Sequence, residues 1–469
     1  VAATGDLDLA ERRARATAEA ARALGIQVVF APVADVNNDP DNPVINTRSF
    51  GEEPEAVGRF VAATVKGLQE GGVLACLKHF PGHGDTAVDS HRSLPVLSVD
   101  RARLDAVELV PFRAGLAAGA RSVMTAHLAV PALDPTPVPV LEKPVRNPGF
   151  PEDVKEAEAK GTLPAVVSRA MTTKLLREEM GFSGLVFTDS MEMGGIVAHF
   201  ETGEAAVRVL EAGGDVVLMP PDPRAAIAAI VAAVESGRLP ESRLDEAVGR
   251  LLAEKERLGL FRGAEIPDEE VSRKAGTLAQ KATEEEVARR GLTLVREAPG
   301  ALPLRPDARL LAVAVHDERT AVAIDATLQG ELKKRAASLD FVRLDPTSCA
   351  GEGATVAERA KGADAVLVAL FVRPKSGRGT IEIPAEGKAA IAALLASGRP
   401  VVAVSFGSPY LLRDVPALPT FLCGYGPQAL VQAAAARALY GEAAIEGRLP
   451  VTIPALAPRG TGLRREAVK

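Results

Sequence analysis

"GLVFTDS", residues 184–190, sets three apolar side chains between a glycine and a Thr-Asp pair. An apolar run of this length suits a strand buried on both faces, and the aspartate that ends it has to meet something other than core. The pattern recurs in "IQVVFAPVAD" (26–35), "GVLACLKH" (72–79), "RSVMTAH" (121–127) and "GDVVLMP" (214–220). Ala-rich amphipathic stretches separate these runs, which is the alternation of a parallel sheet covered by helices. Four of the five runs close on a charged or imidazole side chain: Asp35, His79, His127 and Asp189. In a (β/α)₈ TIM-type barrel the loops after all the strands open on one face, and that face holds the chemistry. Such an α/β barrel is the expectation for residues 1–262. A closed barrel has about eight strands and five are visible, so three βα units are expected to be absent from the N-terminus.

Residues 263–300 are charged and helix-prone, and read as a connecting segment. The alternation resumes with "RLLAVAVH" (309–316), "ADAVLVALFV" (363–372) and "RPVVAVSFG" (399–407). Residues 301–469 are therefore expected to form an α/β sandwich domain, an open sheet flanked by helices. The stretch 139–164, rich in proline and charge, reads as an exposed loop on the catalytic face of the barrel.

With 47% apolar and 25% charged residues, the 469-residue chain has an ordinary globular composition. Its 55 basic and 61 acidic residues give a formal charge of −6 without a basic cluster, which argues against a nucleic-acid partner or a membrane surface. No apolar stretch reaches the roughly 20 residues of a membrane span. The cysteines, Cys76, Cys349 and Cys423, lie far apart and read as buried free thiols rather than a disulfide framework or a zinc site. The chain opens without an initiator Met or a leader, as a processed or truncated product would.

Three of the six histidines fall within "KHFPGHGDTAVDSHRSLP", residues 78–95. His79 and His83 have the spacing of two metal ligands on a helix, but Pro81, Gly82 and Gly84 oppose a helix there. A barrel metallohydrolase using His79, His83, His127 and Asp189 is the alternative this spacing raises, and it lacks a His-x-His pair on a strand. Asp89 and His91 are two apart, so in extended chain they point the same way. The carboxylate can then fix one imidazole nitrogen while the other trades a proton near neutral pH, or the pair can be a plain loop hydrogen bond.

Taken together, "KHFPGHGDTAVDSHRSLP", the preceding "FAPVADVNNDPDNPVINTRSFGEEP" and the following "GLVFTDSMEMGGI" closely resemble the β-N-acetylhexosaminidases of glycoside hydrolase family 3. The likeness runs through residues 5–262 and, more loosely, through "YGPQALVQAAAARALYGEAAIEGRLPVTIP" (425–454), which is similar to that family's C-terminal sandwich domain. What the resemblance implies is a retaining exo-β-N-acetylglucosaminidase needing no cofactor and no metal. Asp189 matches the catalytic nucleophile, His91 the general acid/base, and Asp89 the carboxylate that orients it. Arg48, Lys78 and His79 match groups that hydrogen-bond the sugar, and Asp35 and His127 are assigned to the same site.

The implied substrates are muropeptides of the cell wall or chitooligosaccharides, and export to the cell envelope is favoured over the cytoplasm. A phosphorylase of the same family is the nearest alternative, because a neutral imidazole repels an incoming phosphate less than a carboxylate does. A non-catalytic sugar-binding protein is another. The family's Asp-Gln-Glu-Gly-Gly segment has no counterpart in residues 1–30. Taken singly, these residues have plainer readings, such as Asp189 as an N-cap, Met191 and Met193 as packing, and His199 and His316 as structural.

Overall fold

The computed structural model describes residues 1–141, 161–263, 268–318, 323–347, 352–375 and 377–468. Most of the 139–164 stretch and Cys349 lie outside them. The chain divides into two compact units. One holds Ala10–Gln280 together with Lys375–Gly379; the other holds Val1–Leu9, Lys281–Pro374 and Thr380–Lys469.

In the first unit, β1 (Val28–Val29), β2 (Leu74–Phe80), β3 (Ser122–Thr125) and β4 (Leu185–Thr188) form a wholly parallel sheet in that order. The run at 214–220 joins β4 through a single bridge between Phe187 and Val216. The run at 26–35 is strand only at Val28–Val29, with a further bridge from Val33 to Lys78. Pro32 has no N–H to give the ladder, and the pairing breaks around it.

Side chains alternate as the pleat requires. Ala75 and Leu77 of β2, Val123 of β3 and Val186 of β4 pack outward against Val57, Val61, Val65 and Leu68 of the helix Pro54–Glu70. Those four valines and leucines recur at helical spacing. The helix starts where Glu53 caps the N–H groups of Glu55 and Ala56 and Pro54 supplies a preset φ. On the other side Leu74, Cys76, Met124, Leu185 and Phe187 form an interior cluster. Lys78 and Asp189 continue the inward rows of β2 and β4, and this parity carries them to the inside at the strands' C-terminal ends.

The second unit is a six-stranded mixed sheet. Its strands are β5 (Thr293–Arg296), β6 (Arg309–His316), β7 (Ser338–Leu344), β8 (Ala365–Phe371), β9 (Val401–Ser405) and β10 (Phe421–Cys423). They lie in the order β5-β10-β9-β8-β6-β7, with only the β5–β10 pair antiparallel. Leu311, Val313 and Val315 of β6 pack into one core and Leu310, Ala312 and Ala314 into another, the signature of a strand covered on both faces. This is the α/β sandwich expected from sequence. Along the stretch read as connecting, helices occupy Asp268–Lys274 and Leu278–Gly291, whereas Thr293–Arg296 is strand.

The 214–220 run is locked beside β4 by Asp215, whose side chain is fully buried. Its carboxylate accepts from Arg177 at 2.6 Å, Arg243 at 3.0 Å, Arg250 at 2.9 Å and the Val186 N–H at 2.9 Å. Removing one partner of a buried ionic network leaves the others uncompensated, so Asp215→Ala is expected to destabilise this unit by about 3–5 kcal/mol. Thermal unfolding of the variant would then show a midpoint lowered by several degrees; an unchanged midpoint contradicts the assignment.

Candidate active site

Lys78 and His79 close β2, His127 and Asp189 follow β3 and β4, and Asp35, Arg48, His83, Asp89 and His91 stand on the longer segments after β1 and β2. Asp35 is completely buried and organises the loop after β2. It accepts the His83 N–H at 2.7 Å and the His79 N–H at 3.1 Å, and its Oδ2 lies 2.7 Å from His79 Nδ1. His79 Nε2 faces Arg48 Nη2 at 3.3 Å. A guanidinium only donates, so this nitrogen accepts and Nδ1 carries the proton given to Asp35. Burial works to raise the Asp35 pKa, but the electrostatic pull and hydrogen bond of His79 and the His83 amide outweigh it and hold the carboxyl below its usual range.

Arg48 is delivered by the single 3₁₀ turn Asn46–Arg48, and its Nη1 donates to the Val44 carbonyl at 3.0 Å. Nothing in the residues themselves marked Asn42, yet it pins this segment to the histidine loop. Its Nδ2 donates to the carbonyls of His83 and Gly84, and its Oδ1 accepts the N–H groups of Val44 and Ile45. The approach is so close that a Cβ on Gly84 would sit 1.7 Å from the Val36 oxygen, so only glycine fits.

The Asp89–His91 pair forms, but in a turn closed by the Arg92 N–H on the Asp89 carbonyl rather than in extended chain. Asp89 Oδ1 lies 2.8 Å from His91 Nδ1 and accepts the His91 N–H at 2.9 Å. The Asp89 side chain is 1% exposed and that of His91 18%, so the carboxylate is withdrawn behind an imidazole that reaches the surface. Burial works to raise the Asp89 pKa, and the hydrogen bonds and charge of His91 hold it below the usual carboxylate range. The loop is stitched to the segment after Asp189: Gly194 donates to the His91 carbonyl and Gly195 to the Ser90 carbonyl, each at 3.0 Å.

Asp189 follows β4 directly. Its amide donates to the Thr125 carbonyl and its Oδ1 accepts the Ser190 N–H at 2.8 Å. Burial works to raise its pKa, but the electrostatic pull of His79 and His127, the Ser190 amide and Lys78 bring it below the usual range. The carboxylate is therefore ionised. Lys78 is pulled down by burial and by the nearby Arg48 charge, against the pull of Asp189. His127 is fully buried, donates from Nε2 to the Ser190 carbonyl at 2.7 Å, and has its pKa lowered chiefly by that burial. It thereby holds the segment that bears Asp189.

Outside this group, His199 binds the Pro139 carbonyl and His316 pairs with Asp325. Met191 lies in a hydrophobic cluster. Cys76 and Cys423 are free buried thiols, Cys76 pushed up to about 12 by burial. Among the described residues no three His, Cys, Asp or Glu side chains converge as a metal-ligand set, so the four-residue arrangement of the metallohydrolase alternative is not formed. No helix among them is long and apolar enough to cross a membrane. A cavity of about 810 Å³ opens at the opposite, N-terminal ends of β3 and β4, lined by Arg121, Phe182, Gly184 and Glu254, and contains none of the site residues.

Fold and site define the class: an α/β enzyme of the parallel-barrel type, with reactive side chains gathered at the C-terminal ends of its strands. The Glycosyl hydrolase family 3 N terminal domain matches residues 1–253, and the Glycosyl hydrolase family 3 C-terminal domain matches residues 292–463. The chain belongs to glycoside hydrolase family 3, and it is accordingly an enzyme acting on carbohydrate. It is 33% identical over 466 residues to a beta-N-acetylglucosaminidase/beta-glucosidase of Cellulomonas fimi, across 96% of this chain and 78% of that one. It is likewise 33% identical over 388 residues to beta-hexosaminidase A of Pseudoalteromonas piscicida, across 79% of this chain but only 60% of the relative. Among solved structures, a family 3 beta-N-acetylglucosaminidase from Paenibacillus sp. str. FPU-7 superposes with a TM-score of 0.83 at 33% identity, over 96% of this chain and 81% of the other. The beta-glucoside phosphorylase BglX gives the same TM-score of 0.83 at 25% identity, over 97% of this chain and 79% of the other.

His83 offers a test of the site's burial. It is 2% exposed, and burial pushes its pKa down from 6.5 to about 4. Between those values the unfolded chain binds a proton that the folded chain refuses. The stability from this group is thus complete above the unfolded pKa and falls as pH drops toward the folded one, by up to about 3 kcal/mol. Urea midpoints measured as pH is lowered through that window are expected to fall less steeply for His83→Gln than for the wild type; parallel slopes contradict the reading.

Proposed function

We propose that the chain is a retaining, exo-acting β-N-acetylglucosaminidase. The observation that carries this reading is the Asp89–His91 pair, with its 2.8 Å contact, on a loop stitched to the segment that follows Asp189. An ionised Asp189 attacks the anomeric carbon, and the bond to the leaving oxygen breaks as that oxygen takes a proton from His91. Water then attacks the same carbon while His91 removes its proton, and the bond to Asp189 breaks. Retaining glycosidases usually employ two carboxylates. Here an imidazole charged by Asp89 takes the place of the second, in the manner of a base oriented by a buried acid.

Arg48, Lys78 and His79 supply donors for the sugar hydroxyls. Asp35 positions the loop of His79 and His83, and His127 positions the segment of Asp189. The terminal sugar proposed is N-acetylglucosamine, carried on muropeptides or chitooligosaccharides. The names of the relatives from Cellulomonas and Paenibacillus support that choice.

A second reading, phosphorolysis, draws support from the likeness to BglX. Incubation with a chromogenic β-N-acetylglucosaminide in phosphate buffer separates the two: free sugar is expected, and sugar 1-phosphate contradicts hydrolysis. Asp89→Ala and His91→Ala are each expected to lower kcat by about 10²–10⁴-fold, the range of general acid–base catalysis. The double variant should be little worse than either, since residues acting as one unit fail together. Additive losses, or wild-type rates in either variant, would assign the proton transfer elsewhere.

A further inference from the structure

The chain leaves the sandwich unit after Pro374, groups with the barrel unit for Lys375–Gly379, and returns at Thr380. Within that segment the Gly377 N–H donates to Asp89 Oδ2 at 2.8 Å. Both of the donors that reach Asp89 Oδ1 belong to His91. Among the described residues, Gly377 is the donor to this carboxylate from outside its own loop. A carboxylate bound on one oxygen only can turn about its Cβ–Cγ bond and carry the imidazole with it. A donor on the second oxygen fixes the plane, and with it the direction in which His91 presents its other nitrogen.

Two further contacts concern the same loop. A Cβ on Gly379 would come within 3.2 Å of Arg92 Nη1, so the segment passes close to the loop a second time. On the other side, Gly194 and Gly195 hold the His91 and Ser90 carbonyls. The loop is thus gripped from two directions, by backbone amides in each case. Gly377 has φ +78°. That left-handed conformation disfavours L side chains by roughly 1–2 kcal/mol, with asparagine the best tolerated and β-branched residues the worst.

We propose that Gly377 is a positioning residue for proton transfer, its N–H fixing the Asp89 carboxylate and thereby the aim of His91. The assignment rests on the Asp89–His91 acid/base reading above. It makes a five-residue segment, far from the pair in sequence, part of what tunes the reaction.

The test compares Gly377→Val, Gly377→Ala and Gly377→Asn, in the wild-type and Asp89→Ala backgrounds of the full chain. The substrates are two aryl β-N-acetylglucosaminides, one with a poor leaving group that needs protonation and one with a strongly acidic leaving group that does not. For Gly377→Val, kcat on the poor leaving group should fall by about 10–100-fold, the loss seen when partners that orient metal-bound histidines are removed. KM should hardly move, and the first-turnover burst with the acidic leaving group should persist. Gly377→Asn, which keeps the N–H and accepts the conformation, should retain most of the rate, with Gly377→Ala between. In the Asp89→Ala background the valine change should add nothing. Wild-type rates for Gly377→Val, an equal loss of the first-turnover rate on both substrates, or the same loss with and without Asp89 would each overturn the proposal. Full activity of Asp89→Ala itself would overturn the acid/base reading beneath it.

Discussion

A carboxylate sealed from water has to be answered by protein donors, and much of this site follows from how Asp35 is answered. Its partners are the amide and imidazole of His79, near the end of β2, and the His83 amide in the loop that follows, so this stretch cannot leave without stranding a buried charge. That fixes the His79 tautomer, turns its Nε2 toward Arg48, and sets where the chain runs on toward Asp89 and His91. The same device recurs at Asp215, where a buried carboxylate binds a neighbouring run to β4 through three guanidiniums. In one unit the two aspartates do different work with the same physics: one shapes the reactive face, the other holds the scaffold.

The electrostatics of the face divide its groups. Asp189 sits among Lys78, His79 and His127, and their electrostatic pull lowers its pKa in spite of its burial. Asp89 is ionised as well, but it is withdrawn and hydrogen-bonded to the imidazole in front of it. In the proposed mechanism one carboxylate meets the sugar while the other acts through His91. A nucleophile and an acid/base need such separate environments if they are to hold different protonation states at one pH.

The strand ends were legible because parity is local. Alternation along β2 and β4 delivers Lys78 and Asp189 to one interior, whereas Asp89 and His91 meet in a turn and not in the extended chain their spacing suggested. The two-faced strands of the sandwich were legible for the same reason, being continuous apolar runs. β5 was not, because Thr293–Arg296 is four residues next to charged helix and gains its identity only by pairing with β10, more than a hundred residues later. Asn42, Gly194, Gly195 and Gly377 are likewise silent in sequence: each acts through contacts to distant backbone, and a lone Asn or Gly carries no periodic signal. The His79/His83 spacing is a different case, since Pro81, Gly82 and Gly84 already opposed the helix it would need. Four residues apart suits ligands on a helix, but His79 commits its nitrogens to Asp35 and Arg48, and Thr86 takes His83 Nδ1.

The central claim is that Asp189 is the nucleophile that bonds to the anomeric carbon of the sugar. A fluorinated mechanism-based N-acetylglucosamine analogue, which slows release of the covalent intermediate, offers the most direct measurement when followed by peptide mapping of the labelled chain. The account predicts one equivalent of label on the peptide containing "FTDS", at Asp189, with loss of activity in step with labelling. Label on any other carboxylate, or inhibition without covalent attachment, would contradict it.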